Sequence, residues 1–130
     1  MKDHNFQTKA VREGHHATDE QEHSAAIFLT SSYRFKSAEQ AADRFDNKEK
    51  GNVYSRFTNP TVDSFQDKLA ALEDAEKCQA TASGMSAIFA TIMTLLKPGD
   101  HMVASRCMFG TTIVLLNSII EKFEIQITFV

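Results

Sequence analysis

The segment Ser83-Gly84-Met85 has the residue types of a turn that binds an anion. It lies where a predicted strand gives way to a predicted helix, and the first amide groups of a helix have no internal partners. Those amides carry partial positive charge, and glycine lets a bulky anion approach the backbone. A plain serine cap beside a tightly packed glycine explains the same residues. Alone, the segment leaves a phosphate site and an ordinary helix start open.

Two further places have residues suited to binding. Arg56 could grip a phosphate through two parallel hydrogen bonds, and Tyr54 would add a neutral donor, although an exposed loop pair has the same composition. Phe109, beside Gly110, offers a ring that could stack on a planar ligand or pack into the core. The sequence contains no P-loop, no Gly-x-Gly-x-x-Gly and no Gly-x-Ser-x-Gly segment.

The second half of the chain alternates strand and helix. A strand is predicted at 78–82 and a helix from Ser83, ended by Lys97-Pro98-Gly99-Asp100. A strand at 101–105, a loop at 106–110, a helix capped by Thr111 or Thr112 and a strand at 125–130 follow. Alternation of this kind predicts parallel strands with right-handed crossovers, the α/β class. Ligands in that class bind beyond the carboxyl ends of the strands, where Ser83 and the 106–110 loop are predicted to lie.

The first half is more polar. Residues 1–23 carry four of the five histidines without a nearby cysteine, which favours an exposed arm over a metal site. An extended stretch is predicted at 25–35 and a helix from the capping box at Ser37 to Phe45. Asn59-Pro60 predicts another helix start, followed by an apolar stripe of Val62, Phe65, Leu69 and Leu72.

Composition limits the class of protein. The chain has 130 residues, a net charge of -3 and two cysteines, which predicts one domain of a cytoplasmic protein with reduced thiols and no nucleic-acid partner. No secretory signal is visible, and the apolar run at 87–96 is too short for a bilayer, so no membrane partner is predicted. The last predicted strand has no closing helix. This favours a truncated chain, since a parallel sheet needs both faces covered; a complete domain with an edge strand is the alternative.

The order of these segments resembles the cystathionine γ-synthase-like enzymes, pyridoxal 5'-phosphate (PLP) enzymes of Cys and Met metabolism. The resemblance runs from about Thr8 onward, and its main segments are Tyr54–Thr61, Leu72-Glu73, Ala82–Ala87, Pro98–His101 and Phe109–Thr112. It implies an N-terminal arm and oligomerisation segment at 1–58. Residues 59–130 would be the first, incomplete part of the large domain of a type I PLP-dependent transferase, a mostly parallel sheet with flanking helices.

The resemblance also implies roles for the candidate residues. The backbone amides of Gly84 and Met85, with Ser83, would hold the PLP phosphate. Tyr54 and Arg56 would reach the phosphate of a neighbouring subunit. The chain would therefore form a homo-oligomer with shared active sites, which in this family is usually a tetramer.

Phe109 would lie over the pyridine ring, where many members of the family have tyrosine. The family's Schiff-base lysine lies in a Ser-x-Thr-Lys pattern, and no lysine here matches it. No catalytic residue is therefore assigned, and the chain alone is expected to be inactive.

Within the family, segments 23–32 and 51–60 resemble the O-succinylhomoserine sulfhydrylases. That branch implies small-molecule substrates, an acyl-homoserine with sulfide or cysteine, and replacement of succinate by sulfide to make homocysteine in methionine biosynthesis. Cystathionine γ-synthase, O-acetylhomoserine sulfhydrylase and methionine γ-lyase remain open, as does a non-catalytic binding or assembly module.

Overall fold

The computed structural model describes residues 4–130, which divide into two compact units. The first unit extends to Ala80 and contains α1 (Phe6–Arg12), α2 (Ala38–Phe45) and α3 (Pro60–Leu72). The second, Thr81–Val130, contains α4 (Gly84–Leu95), β1 (His101–Ala104), α5 (Gly110–Ser118), a 3-10 helix (Ile120–Phe123) and β2 (Gln126–Phe129). The predicted domain boundary after residue 58 stays a prediction. The first three residues of the predicted arm lie outside the described residues.

Two helices of the first unit begin where their caps predict. The Ser37 side chain accepts a hydrogen bond from the backbone of Gln40 at 3.2 Å and starts α2. The Asn59 side chain accepts from the amide of Thr61 at 2.9 Å, with proline at the first position of α3. Asn59 also donates to the carbonyl of Phe28 at 3.1 Å. This cap therefore fixes the extended segment beside α3 as well as the helix.

The arm is only partly exposed: within residues 5–16, Phe6 and Val11 face solvent as predicted, whereas Gly14 is buried. Asn5 caps α1, which packs on α3. Gly14 allows the close approach: its φ is +71°, and a Cβ there would lie 2.1 Å from the carbonyl oxygen of Ser64. An ion pair joins Lys9 to Asp74 at 2.7 Å, and a hydrogen bond joins the side chains of His16 and Asp67 at 2.8 Å. The polar sequence of the arm did not predict this contact, because the contact uses a close backbone approach at Gly14 and charged side chains rather than an apolar face.

Two predicted extended segments of the first unit form no ladder. The stretch at 25–35 makes one isolated antiparallel bridge, Ser32 with Tyr54. The predicted strand at 78–82 is wrong, since within residues 4–130 it pairs with no strand. The amide of Ala80 instead donates to the side chain of Gln66 at 2.8 Å. A strand exists only where a neighbouring strand takes its backbone groups.

The second unit has the predicted parallel pairing. Strands β1 and β2 lie parallel, in a register that runs from His101 opposite Gln126 to Ala104 opposite Phe129. One cluster forms the core of this unit; its buried members are Ile92, Ala104, Leu116, Ile120 and Ile125. The α/β class is confirmed. No helix within residues 4–130 is long and apolar enough to cross a membrane.

The helix predicted between the 106–110 loop and the strand at 125–130 is interrupted. It begins at Gly110 rather than after a threonine cap, and α5 ends at Ser118 before the 3-10 helix. Phe109 occupies the cap position and makes no side-chain cap bond. The tighter 3-10 turn lets Ile120 and Ile125 both enter the core, where each is at most 2% exposed.

Candidate functional site

The start of α4 presents two free backbone donors. Ser83 has extended backbone (φ −160°, ψ 160°), and its Oγ accepts from the amide of Ser86 at 3.1 Å. The amide of Ala87 donates to the Ser83 carbonyl at 3.1 Å. The amides of Gly84 and Met85 are thus left without a partner among the described residues. Both lie at the positive end of a 12-residue helix, which favours an anion there.

Gly84 keeps the approach to these amides open. A Cβ built at this position would meet nothing within 4 Å. In this structure the glycine is therefore not required for tight packing, and that explanation of the sequence is wrong. The space beside the Gly84 backbone is therefore open among the described residues.

Phe109 lies on the loop between β1 and α5, and its side chain is 81% exposed. Core packing, the alternative explanation of this residue, is therefore wrong. The hydroxyls of Thr111 and Thr112 each lie 3.9 Å from the sulfur of Met85. These contacts bring the first turn of α5, which follows Phe109, against the first turn of α4. The second unit thus places two free amides and an accessible ring on adjoining turns.

Tyr54 and Arg56 belong to the first unit. The Arg56 guanidinium carbon lies 5.3 Å from the centroid of the Tyr54 ring and 5.2 Å from that of Phe57. Among the described residues Arg56 has no carboxylate partner. The loop is fixed by the amide of Ser55, which donates to the carbonyl of Ser31 at 3.0 Å. The guanidinium is therefore positioned by rings and keeps its donors available for an anion.

Phe57 was missed by sequence reasoning, although an aromatic residue directly after an arginine was a usable signal. Within residues 4–130 no cluster of three or more His, Cys, Asp or Glu side chains could hold a metal ion. Each unit by itself offers donors for an anion beside an aromatic ring: two amides and Phe109 in the second unit, and the Arg56 guanidinium with the Tyr54 phenol in the first.

Known proteins with similar sequences are enzymes of sulfur amino-acid metabolism. The chain is 52% identical over 124 residues to an O-succinylhomoserine sulfhydrylase of Pseudomonas aeruginosa, covering 95% of this chain and 31% of that protein. It is 44% identical over 104 residues to an L-methionine gamma-lyase of Fusobacterium nucleatum subsp. polymorphum, covering 80% of this chain and 26% of that protein. The chain thus spans about a third or less of the length of these curated relatives.

A solved structure has the same fold over nearly the whole chain. It is a Campylobacter jejuni protein described as an O-acetylhomoserine (thiol)-lyase, with a TM-score of 0.89 and 31% identity, covering 98% of this chain and 31% of that one. That structure carries a pyridoxyl-lysine phosphate group. The free amides and exposed ring described above fit the phosphate and the pyridine of such a group. The family model for Cys/Met metabolism PLP-dependent enzymes matches residues 7–130, and the chain belongs to that family.

Proposed function

We propose that this chain supplies the phosphate-binding turn and the ring-stacking residue of a PLP-dependent O-succinylhomoserine sulfhydrylase. The observation that carries the proposal is the pair of unpartnered amides at Gly84 and Met85, on a turn adjoining the one that follows the exposed ring of Phe109. One molecule with a phosphate and a flat ring needs both features together. The family of the chain uses such a molecule.

Each residue has a defined part in holding the cofactor. The amides of Gly84 and Met85 donate to the phosphate, with the α4 dipole favouring its negative charge. Ser83 fixes the turn by capping α4, so the amides point outward before the ligand arrives. Phe109 covers one face of the pyridine ring and excludes water from that side.

Tyr54 and Arg56 complete the phosphate site from a second copy of the chain. The exposed guanidinium, positioned between two rings, supports this role because it has donors to spare. A bidentate arginine adds directed bonds to a dianion that amides alone hold weakly. The proposal therefore includes a homo-oligomer with shared sites, and we expect a tetramer.

PLP, when bound, acts as an electron sink for bonds next to the amino-acid carbon. The residues of this chain bind and orient it. They include no lysine in a Ser-x-Thr-Lys segment, and we assign them no proton transfer. On this proposal the 130 residues on their own turn over no substrate.

The proposed reaction replaces the succinyl group of O-succinylhomoserine by sulfide and gives homocysteine. Its support is the 52% identity to the Pseudomonas aeruginosa relative. The test supplies the product of the encoding reading frame with PLP, sulfide and either O-succinylhomoserine or O-acetylhomoserine, and measures homocysteine. We expect product, fastest with the succinyl ester. No product from either ester would overturn the proposal.

A second candidate is a methionine γ-lyase, supported by 44% identity to the Fusobacterium protein. The two activities differ in substrate and product: the sulfhydrylase consumes sulfide and makes homocysteine, whereas the lyase consumes methionine and releases methanethiol. Methanethiol from methionine, without homocysteine from either ester, would favour the lyase.

A further inference from the structure

The side chain of Met85 joins the two turns that form the proposed site. Its sulfur lies 3.9 Å from the hydroxyl oxygens of both Thr111 and Thr112. Met85 is half-buried, yet it lies outside the apolar cluster that forms the core of the unit.

The two threonines use their hydroxyls in an unusual way. Threonines inside α4 donate to the carbonyl four residues earlier, Thr91 to Ala87 at 2.8 Å and Thr94 to Ala90 at 2.7 Å, as helical threonines commonly do. For Thr111 and Thr112 the residue four back precedes α5, so no helical carbonyl is available. Both hydroxyls turn to the thioether instead, which is a weak acceptor.

Thr112 makes this contact structurally important. Its side chain is buried, with the residue 7% exposed, and within residues 4–130 its hydroxyl has no acceptor other than the sulfur. Its amide donates to the carbonyl of Phe109 at 2.8 Å. A continuous series of contacts therefore runs from the Phe109 backbone through Thr112 to Met85, whose own amide is one of the two free donors.

We propose that Met85 is a positioning residue. Its thioether sets the spacing between the free amides of α4 and the Phe109 backbone, and so the place of the ring that this backbone carries. This inference rests on the proposed function, in which one ligand uses both. Inorganic phosphate needs only the amides. A pyridine phosphate needs the amides and the ring at a fixed separation, so only its affinity depends on the Met85 contact.

The experiment compares two probes on the 130-residue chain: inorganic phosphate, and pyridoxine 5'-phosphate, which lacks the aldehyde and cannot react with lysines. Met85→Leu keeps the side-chain volume and removes the acceptor. The two weak hydrogen bonds favour the spacing that the ligand needs, so without them a smaller fraction of the free chain is ready to bind. We expect the affinity for pyridoxine phosphate to fall roughly fivefold. The affinity for inorganic phosphate should stay within about twofold, because the amides remain.

Matched variants separate positioning from simple packing. Met93→Leu makes the same change at a methionine that packs on the core, and it should alter neither affinity. Thr112→Val removes one of the two contacts and should lower the affinity for pyridoxine phosphate by roughly twofold, whereas Thr112→Ser should keep it. The double variant Met85→Leu/Thr112→Val should lose no more than Met85→Leu alone.

The possible results distinguish this inference from the proposed function. A parallel loss for both probes, or an equal loss in Met93→Leu, would show a packing role and overturn the inference alone. If Met85→Leu left the ratio of the two affinities unchanged, that result would also overturn the inference alone. A wild-type chain that binds neither probe would overturn the proposed function, and the inference with it.

Discussion

At the scale of single residues, the positions around the free amides favour ligand access over stability. Gly84 occupies the first position of α4, where alanine is a better helix former. Phe109 occupies the cap position of α5 without a cap bond, and its ring faces solvent. Sequences keep residues that break a local rule mainly where function needs them. Stability and binding should therefore respond in opposite directions to changes at both positions.

The first prediction concerns Gly84→Ala. A Cβ there meets no atom within 4 Å, and alanine lowers the entropy of the unfolded chain, so the melting temperature should stay equal or rise slightly. The methyl group would fill the space above the amides, so the affinity for inorganic phosphate should fall, by roughly tenfold if two charge-assisted bonds lengthen. Thermal melts and phosphate titrations check this.

The control for that change is Gly14→Ala. Gly14 has φ +71°, and a Cβ there would lie 2.1 Å from the Ser64 carbonyl oxygen, so alanine should lower the melting temperature. Unchanged phosphate affinity in Gly84→Ala would show that the anion does not bind at this turn.

The second prediction concerns Phe109→Ser. Serine would supply the missing cap of α5 and stabilise the fold by about 1 kcal/mol, because little buried surface is lost. Removal of the ring should weaken the binding of pyridoxine phosphate and leave the binding of inorganic phosphate unchanged. Denaturant unfolding and titrations with both probes measure the two effects. A loss of stability would show that the ring packs against the protein.

Some of the site could be predicted from local sequence and some could not. Ser83 and Gly84 were predicted because a cap acts within three residues of itself. The contact of Met85 with Thr111 and Thr112 joins residues 26 and 27 positions apart, and no local pattern encodes it. Whether Phe109 faces solvent or the core likewise depends on the packed unit.

At the scale of elements, two carboxylates of α3 lie near His16, in the segment that follows α1. Partial burial, and then the charge of Asp67, raise the pKa of Asp63 above its ordinary value of 3.8, while His16 opposes the rise. The Asp67 carboxylate itself lies 2.8 Å from His16. Two aspartates one turn apart on the same helix therefore differ in their surroundings: Asp63 is destabilised in its charged form, whereas Asp67 has a hydrogen-bond partner.

The third prediction uses this pair. Because the folded chain holds the Asp63 proton more tightly than the unfolded chain, stability falls as the pH rises through the ordinary pKa and then the raised one. Asp63→Asn removes that loss, so its melting temperature should exceed that of the wild type at neutral pH. The difference in melting temperature should vanish below about pH 3, where Asp63 is protonated in both the folded and the unfolded wild-type chain.

Asp67→Asn is the matched control. It loses the carboxylate that lies 2.8 Å from His16 and should lower the melting temperature. Melts of both variants across pH measure the effect. A lower melting temperature for Asp63→Asn at neutral pH would show that its charge stabilises α3.

Helix starts were the elements most predictable from sequence. Those of α2, α3 and α4 follow from Ser37, Asn59 and Ser83, each of which caps its own helix. The prediction of a strand at 78–82 failed because a strand needs a partner strand that its own residues do not specify. The break after α5 was missed because Ile120 would be buried both in a continued α-helix and in a 3-10 turn. Only the packed core distinguishes the two.

At the scale of the whole molecule, the parallel register of β1 and β2 agrees with the alternation of elements, but the surface was not predicted. The apolar stripe of α3 reads as a buried face, yet Phe65 is 56% exposed. Ile27 and Leu29 on the extended segment are also exposed. Single exposed apolar residues are ordinary, whereas a contiguous group marks a surface that binds another protein. Ile27 and Leu29 lie two residues apart on one extended segment and are the candidates for such a group.

The last prediction tests that surface. Leu29 is 95% exposed and Ile27 74%, so we expect the chain to self-associate with rising concentration, as the proposed oligomer requires. The double variant Ile27→Lys/Leu29→Lys should shift sedimentation toward the monomer, because two buried apolar contacts would become two desolvated charges. Ser31→Lys adds a charge to the same exposed segment without removing apolar surface, so it should associate nearly as well as the wild type. A wild-type chain that stays monomeric at every concentration and melts sharply would show that these side chains form no interface, and the shared phosphate site would then lose its physical basis.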